Sequence, residues 1–242
     1  MAIQLLMQYF HGMDTLSNTP RKTSCDGCGS CCRQGGPALH SQDRALVLDG
    51  ILRFEDLITI RKGELALQPL SDEPLEVTAE FLKLKGRGRD WCCRFYNFEA
   101  KGCTIYEHRP VACRLLDCTR PDKLLAIAGH DLLNRIDLIA EDDPLLSLVN
   151  LHEEHCTCPP MEGLVDRLAS GSGDDLEQLI RRINLDMGIR GKATREFGLS
   201  VDLELFYFGS PLFQLVQLLG FSVTESVQGL QLHHDSLQHI SS

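Results

Sequence analysis

The sequence predicts an α+β protein: a loop-rich, cysteine-bearing module with a small antiparallel sheet, followed by a mostly helical C-terminal half. Three observations lead there. Nine of the eleven cysteines fall between Cys25 and Cys118, two more at Cys156 and Cys158, and none beyond. Inside the cysteine-rich part, "EPLEVTAEFLKLKG" and "WCCRFYNF" carry strand-like character. After Cys118, apolar residues recur at helical spacing in stretch after stretch. We therefore divide the chain into a lead-in over 1–22, a cysteine-cluster metal-binding domain over 23–120 and a helical region over 121–242.

The elements follow from local chemistry. "IQLLMQYF" is an amphipathic turn in the lead-in, and "SNTPRKTS" a polar loop. "GGP" at 35–37 is a loop signal. "HSQDRALVLDGILRFEDLITIRKG" holds two short helical patterns, the first capped by Ser41 or Asp43 and the second being "FEDLITI". In "EPLEVTAEFLKLKG", Leu75, Val77 and Ala79 alternate and Phe81 slips out of phase, which reads as a strand with a bulge. "GRGRD" turns the chain into a partner strand. "PDKLLAIAGHDLLNRIDLIA" is helical, with Pro121 in its first turn. A helix over "DPLLSLVNLHEEH" ends near Cys156. Beyond a Gly-Ser linker, Asp174 or Asp175 caps a helix that Gly188 terminates. "SPLFQLVQLLGF" is a last helix, capped by Ser210, and "FSVTESVQGLQLHH" a terminal strand or hairpin.

Composition narrows the function. Hydrophobic residues make up 43% of the 242 and charged residues 24%, enough for a folded core. The net charge of −10 repels a polyanion, which argues against a nucleic-acid partner. No apolar run is long enough to span a bilayer. The first residues lack a basic start and a small-residue cleavage pattern, so the expected location is cytosolic. In a reducing compartment, clustered thiols hold metal more readily than they form disulfides. Neighbours such as Cys31 and Cys32 also bridge each other only with backbone strain.

The first cluster, "SCDGCGSCCR", steps through Cys25, Cys28, Cys31 and Cys32 with Gly27 and Gly29 between. Amides of such a turn point at sulfur and favour the thiolate. The second, "WCCRFYNFEAKGCTIYEHRPVACRLLDC", offers Cys92, Cys93, Cys103, Cys113 and Cys118. The pattern C-x-x-C-x-x-C-C, then C-x-F, then G-C-x-I-Y-E-x-R-P-x-x-C-R resembles the YkgJ-type cysteine-cluster family, described as zinc- or iron-chelating. The matching positions are Cys25, Cys28, Cys31, Cys32, Cys93, Phe95, Cys103, Ile105, Tyr106, Arg109, Pro110, Cys113 and Arg114, in roughly residues 23–120. The resemblance implies metal binding and lends no reaction. The expected metal ligands are Cys25, Cys28, Cys31, Cys32, Cys93, Cys103 and Cys113, with Cys118 added four residues after Arg114.

Thiolates select zinc, iron or copper(I) over magnesium and calcium. Both mononuclear zinc and an iron–sulfur cluster satisfy this set, and adjacent ligands such as Cys31 and Cys32 suit two neighbouring centres. Arg94, Lys101, Arg109 and Arg114 can offset the thiolate charge. Pro110 fixes a turn that faces Cys113 toward Cys103, and Tyr106 reads as a packed ring. In "HEEHCTCPP", His152, His155, Cys156 and Cys158 are either further ligands or a plain helix end. The chain shows no Ser-His-Asp set, P-loop or Rossmann fingerprint. A metal-binding protein is thus the first reading. The alternative is an iron–sulfur enzyme of electron transfer or side-chain modification, since flagellin lysine methylases are similar in carrying a related cluster. No glycine-rich methyl-donor motif accompanies it here. A protein partner could dock on "SPLFQLVQLLGF", a stripe that reads first as core.

Overall fold

The computed structural model describes residues 28–67, 69, 73–88, 91–117, 120–170, 173–227 and 229–234. The lead-in over 1–22, Cys25, Gly27, Cys118 and the Gly171-Ser172 linker lie outside the described residues.

A short helix, α1 (Ser30–Arg33), carries Cys31 and Cys32. The chain then runs along a two-stranded sheet, where Leu39 N donates to Leu82 O at 2.8 Å and Leu84 N to Pro37 O at 3.0 Å. Helix α2 (Arg44–Leu48) follows a 3₁₀ turn over Ser41–Asp43. "FEDLITI" is not the expected helix. Phe54–Asp56 is a 3₁₀ turn closed by Arg53 N donating to Asp56 Oδ2 at 2.8 Å, and strand β1 (Leu57–Ile60) follows. The β-branched run Ile58-Thr59-Ile60 favours a pleated strand over a helix.

Strands β2 (Leu65–Leu67) and β3 (Pro74–Glu76) form one ladder, while β4 (Phe81–Leu84) pairs with β1. The segment expected as one bulged strand is therefore two strands, and the phase slip before Phe81 marks the change of partner. Strands β5 (Gly86–Arg87) and β6 (Cys92–Cys93) make a third ladder, and β7 (Tyr96–Asn97) and β8 (Gly102–Cys103) a fourth. Helix α3 (Val111–Leu115) carries Cys113.

The rest is mostly helical, as expected, with four corrections. The helix after Pro121 stops early: α4 covers Asp122–Leu125, then positive φ at Gly129 and Asp131 turns the chain so that Leu133 O accepts from Leu82 N at 2.8 Å. After α5 (Leu146–His155) and α6 (Leu164–Ser170), helix α7 (Gly173–Phe197) runs straight through Gly188. Buried Ile189 and Ala193 and the Asp186–Arg190 pair beyond that glycine hold it helical, and Gly198, at φ +67°, follows its end. Helix α8 (Val201–Phe208) had no sequence signal of its own, and α9 (Leu212–Gln217) is capped by Pro211 rather than Ser210. Strands β9 (Ser222–Ser226) and β10 (Gly229–His233) close the fold as a hairpin, one of the two forms expected.

One apolar core joins the two halves, running from Leu39, Leu82 and Leu84 through Ile183 to Phe206, Phe208 and Leu232. Phe54 stacks on Phe206 with ring centroids 4.1 Å apart. No helix among the described residues is long and apolar enough to cross a membrane.

A buried polar clamp anchors the halves. The last carbonyls of a helix have no partner inside it. At the end of α8, Thr59 Oγ1 donates to Phe206 O at 2.5 Å, Arg135 Nη1 to Tyr207 O at 2.6 Å, and Arg190 Nη2 to Phe208 O at 3.0 Å. Arg190 Nη1 then donates to Gly209 O at 3.1 Å, and Arg61 Nη2 to Ser210 O at 3.1 Å. These cations also suit the negative end of the helix dipole. Carboxylates balance them: Asp186 and Glu204 for Arg190, Glu80 and Glu153 for Arg135, Glu64 for Arg61.

Asp186 is fully buried and accepts three bonds: His152 Nε2 and Arg190 Nε at 2.7 Å each, and Leu212 N at 2.8 Å. Burial alone would raise its carboxyl, but the His152 bond and the Arg190 charge outweigh it and hold it down at about 2. A carboxyl depressed on folding contributes stability above its unfolded value, about 3.9, which is lost as pH falls toward 2. Asp186→Asn leaves Arg190 short of charge and should cost about 3–5 kcal/mol, seen as a fall of roughly 10 °C in Tm. In urea melts, the stability gap between wild type and variant should shrink as pH drops from about 4 to about 2. A gap constant over that range would contradict the assignment.

Candidate metal centre

Close backbone approaches bring the two cysteine groups together. Gly29 has φ +75°, and a Cβ there would lie 2.3 Å from the Tyr96 ring. Only glycine lets the chain entering α1 press so tightly on the segment between Cys93 and Cys103. In the β7–β8 ladder Tyr96 lies opposite Cys103, and Gly86 lies opposite Cys93 in the ladder before it. Helix α3 follows Pro110, and its first amide, Val111 N, donates to Asp43 Oδ1 at 2.8 Å. Asp43 Oδ2 accepts from His40 N at 3.0 Å, so one fully buried carboxylate joins the turn after the first cluster to the helix bearing Cys113. The sequence offered Asp43 only as a local cap.

Six of the eight expected ligands, Cys28, Cys31, Cys32, Cys93, Cys103 and Cys113, line one cavity of about 1650 Å³. Cys25 and Cys118 lie outside the described residues. Cys92, next to Cys93 on β6, is buried and does not line the cavity. The Cys31 and Cys32 sulfurs stand 4.0 Å apart. Their hydrogen bond lowers the Cys31 thiol against the effect of burial and raises Cys32, with Arg109 adding to the fall at Cys31. Burial raises Cys93 and Cys113, and the neighbouring sulfurs raise them further: Cys103 and Cys31 act on both. Sulfurs from α1, β6, β8 and α3 are thus within electrostatic reach of one another. Among the described residues no three Cys, His, Asp or Glu side chains already form a closed ligand set. The donors gathered here fit a soft cation in chemistry and in place.

The candidate counter-charges divide. Arg94 turns away from the thiols: Asp56 Oδ1 takes its Nε at 2.9 Å, and Glu55 O takes its Nη1. Lys101, Arg109 and Arg114 line the cavity. Arg109 lies over the Tyr106 ring at 3.6 Å, its Nε donates to Tyr106 O at 2.9 Å, and Arg114 Nη1 donates to Arg109 O at 2.7 Å. The ring of Tyr106 is thus a platform for Arg109, 41% exposed rather than enclosed in the core.

Three residues of "HEEHCTCPP" bond into the fold. His152 is held by Asp186, Glu153 pairs with Arg135, and Cys156 O accepts from Arg61 Nη1 at 3.0 Å. Cys156 is fully buried, and burial pushes its thiol and that of Cys158 up to about 12. Neither lines the cavity that holds the other thiols. A histidine, an aspartate and a thiol so enclosed offer no substrate an approach.

Residues 24–128, less than half of the chain, match the model of the CxxCxxCC family, described as "Putative zinc- or iron-chelating domain". No curated protein and no solved structure matches the chain.

Two substitutions separate placement from bystanders. Gly29→Ala forces a side chain into the Tyr96 ring at positive φ, where L-residues pay about 1–2 kcal/mol before any clash. It should lower Tm and cut bound metal by at least half in elemental analysis. Cys156→Ser with Cys158→Ser should leave metal per chain unchanged, and loss of one equivalent would make this segment a ligand.

Proposed function

We propose that the protein binds zinc or iron through thiolates of Cys25, Cys28, Cys31, Cys32, Cys93, Cys103, Cys113 and Cys118, in a domain covering 23–120. The observation that carries this reading is the shared cavity: thiols up to 85 positions apart in sequence, from Cys28 to Cys113, line it together. The family match over 24–128 supports the same chemistry. Softness of the donors selects zinc or iron over hard cations. Arg109 opposes the raised thiol of Cys113 and so favours its ligating, deprotonated form.

The bound metal supplies cross-links between loops, and the residues of the chain place it. Gly29 and Tyr96 set the distance between the clusters, and Asp43 orients the helix of Cys113. The small ladders of this half bury little apolar surface, so ligand bonds add stability that the core does not provide there. A non-catalytic or accessory metal protein follows most directly, because the buried His152, Asp186 and Glu64, whose titration burial and pairing alter, are engaged in the closed clamp. An iron–sulfur form would add redox capacity and support the enzymatic alternative.

Elemental analysis of protein purified without oxygen tests the proposal. Stoichiometric zinc or iron is expected, and Cys93→Ala or Cys113→Ala should remove half or more of it, while Cys92→Ala should not. A brown preparation whose broad visible absorption fades on reduction identifies an iron–sulfur cluster, and a colourless one with zinc identifies the structural form. Metal-free wild-type protein that takes up neither ion on reconstitution would refute the reading.

A further inference from the structure

Three buried side-chain atoms have no hydrogen-bond partner among the described residues: Arg135 Nε, His152 Nδ1 and His40 Nδ1. Arg135 and His152 belong to the clamp, where their other nitrogens are engaged, and neither lines the cavity. His40 does line it, and among the described residues it is the one histidine to do so. The residue is 5% exposed. A polar atom enclosed in this way is costly unless something meets it.

The fold fixes both the backbone and the ring of His40. Its backbone bridges to Leu132, and its amide donates to Asp43 Oδ2 at 3.0 Å. Ring atom Nε2 lies 3.3 Å from Ile127 O, which can only accept, so Nε2 carries the proton. In the neutral ring Nδ1 is then left with a free lone pair. Metal-bound histidines divide their nitrogens in the same way: one gives its proton to a carbonyl, which sets tautomer and orientation, and the other holds the ion. The turn through Gly129 (φ +76°) and Asp131 (φ +50°) carries the chain from the Ile127 carbonyl back to the Leu132 bridge.

The Asp43 carboxylate ties this ring to the helix of Cys113. While Oδ2 takes the His40 amide, Oδ1 takes Val111 N, two residues before Cys113. Pro110, Ala112 and Cys113 line the cavity with His40. Imidazole suits zinc and iron as thiolate does. Being neutral, it adds a bond to the ion without adding negative charge, in a chain whose net charge is already −10.

We propose that His40 is a nitrogen ligand, through Nδ1, to the zinc or iron that the thiols hold, with Ile127 O positioning the ring. This inference rests on the metal reading and deepens it.

Untagged full chain, stripped of metal and reloaded with zinc without oxygen, tests it by X-ray absorption at the zinc edge. Wild type should show a sulfur-rich shell with nitrogen in it and the outer scattering of an imidazole ring. His40→Gln keeps a donor for Ile127 O and offers no ring nitrogen. It should lose the imidazole scattering and bind zinc roughly tenfold or more weakly in competition with a chelator. His130→Gln, at an exposed histidine that does not line the cavity, should change neither. An all-sulfur shell in wild type would overturn the proposal and leave the metal reading standing, whereas failure of wild type to take up zinc would overturn both. Imidazole scattering that persists in His40→Gln would assign the nitrogen to another residue and also overturn it. If His40→Gln folds poorly, wild type labelled with ¹⁵N in its histidines decides: the Nδ1 resonance of His40 should move on zinc addition, and one that stays in place would refute the ligand.

Discussion

The structure depends on how one helix ends inside the protein. Helix α8 finishes in the core, and the carbonyls from Phe206 to Ser210 are shut away from water, where an unpaired one costs about 1–3 kcal/mol. Thr59, Arg61, Arg135 and Arg190 each donate to that turn, from three separate parts of the chain. The guanidinium groups would be a liability alone, and the carboxylates of Asp186, Glu204, Glu80, Glu153 and Glu64 make them tolerable. Gly209 is part of the same arrangement: a Cβ there would lie 2.7 Å from Thr59 O. A polar network this buried holds one geometry, because a half-formed version leaves charges without partners.

That geometry reaches the cavity through a single strand. Side chains alternate along β1, so Thr59 bonds into the clamp while Ile58 and Ile60 line the opposite side. Its partner β4 alternates in the same way, sending Leu82 and Leu84 into the core and Phe81 and Lys83 to the cavity. The helical half therefore fixes the wall against which the cysteine module is assembled. On the other edge of β4, the segment after α1 is pinned by Leu39 and Pro37, and Gly36 runs so close to Leu84 that a Cβ would lie 2.4 Å from it. The first cysteine cluster is thus tied to the sheet a few residues after its last thiol.

Where the sequence was legible, the chemistry was local or the pattern rigid. Clustered spacing and the family resemblance marked Cys28, Cys31, Cys32, Cys93, Cys103 and Cys113 as candidate ligands, and they line one cavity. The helix ending at His155 and the terminal hairpin followed from periodicity and turn residues. The misreadings share a cause in tertiary context. "FEDLITI" has apolar positions compatible with either period, and pairing with β4 makes it a strand. Gly188 looked like a stop, yet the Asp186–Arg190 pair spans it and the core holds Ile189 beyond. The clamp left no trace in the sequence, because nothing local marks Arg61, Arg135 and Arg190 for burial; the fold encloses them. Asp43 was visible as a cap, but its second partner, Val111 N, lies 68 residues away.

The two kinds of interaction differ in what they require of a metal. The approach of Gly29 to Tyr96 and of Gly36 to Leu84 is van der Waals contact, and the Asp43 bridge is a hydrogen bond. None of them involves sulfur. These contacts place the elements bearing the thiols without drawing on the sulfurs. Neutral thiols raised by burial, as at Cys93 and Cys113, have no reason to converge on their own, since thiolates so close would repel. A divalent cation reverses that balance by drawing the same groups together as they deprotonate. Protein packing carries these elements to a common cavity, and a divalent cation held there would bind the thiols in the deprotonated form that burial opposes.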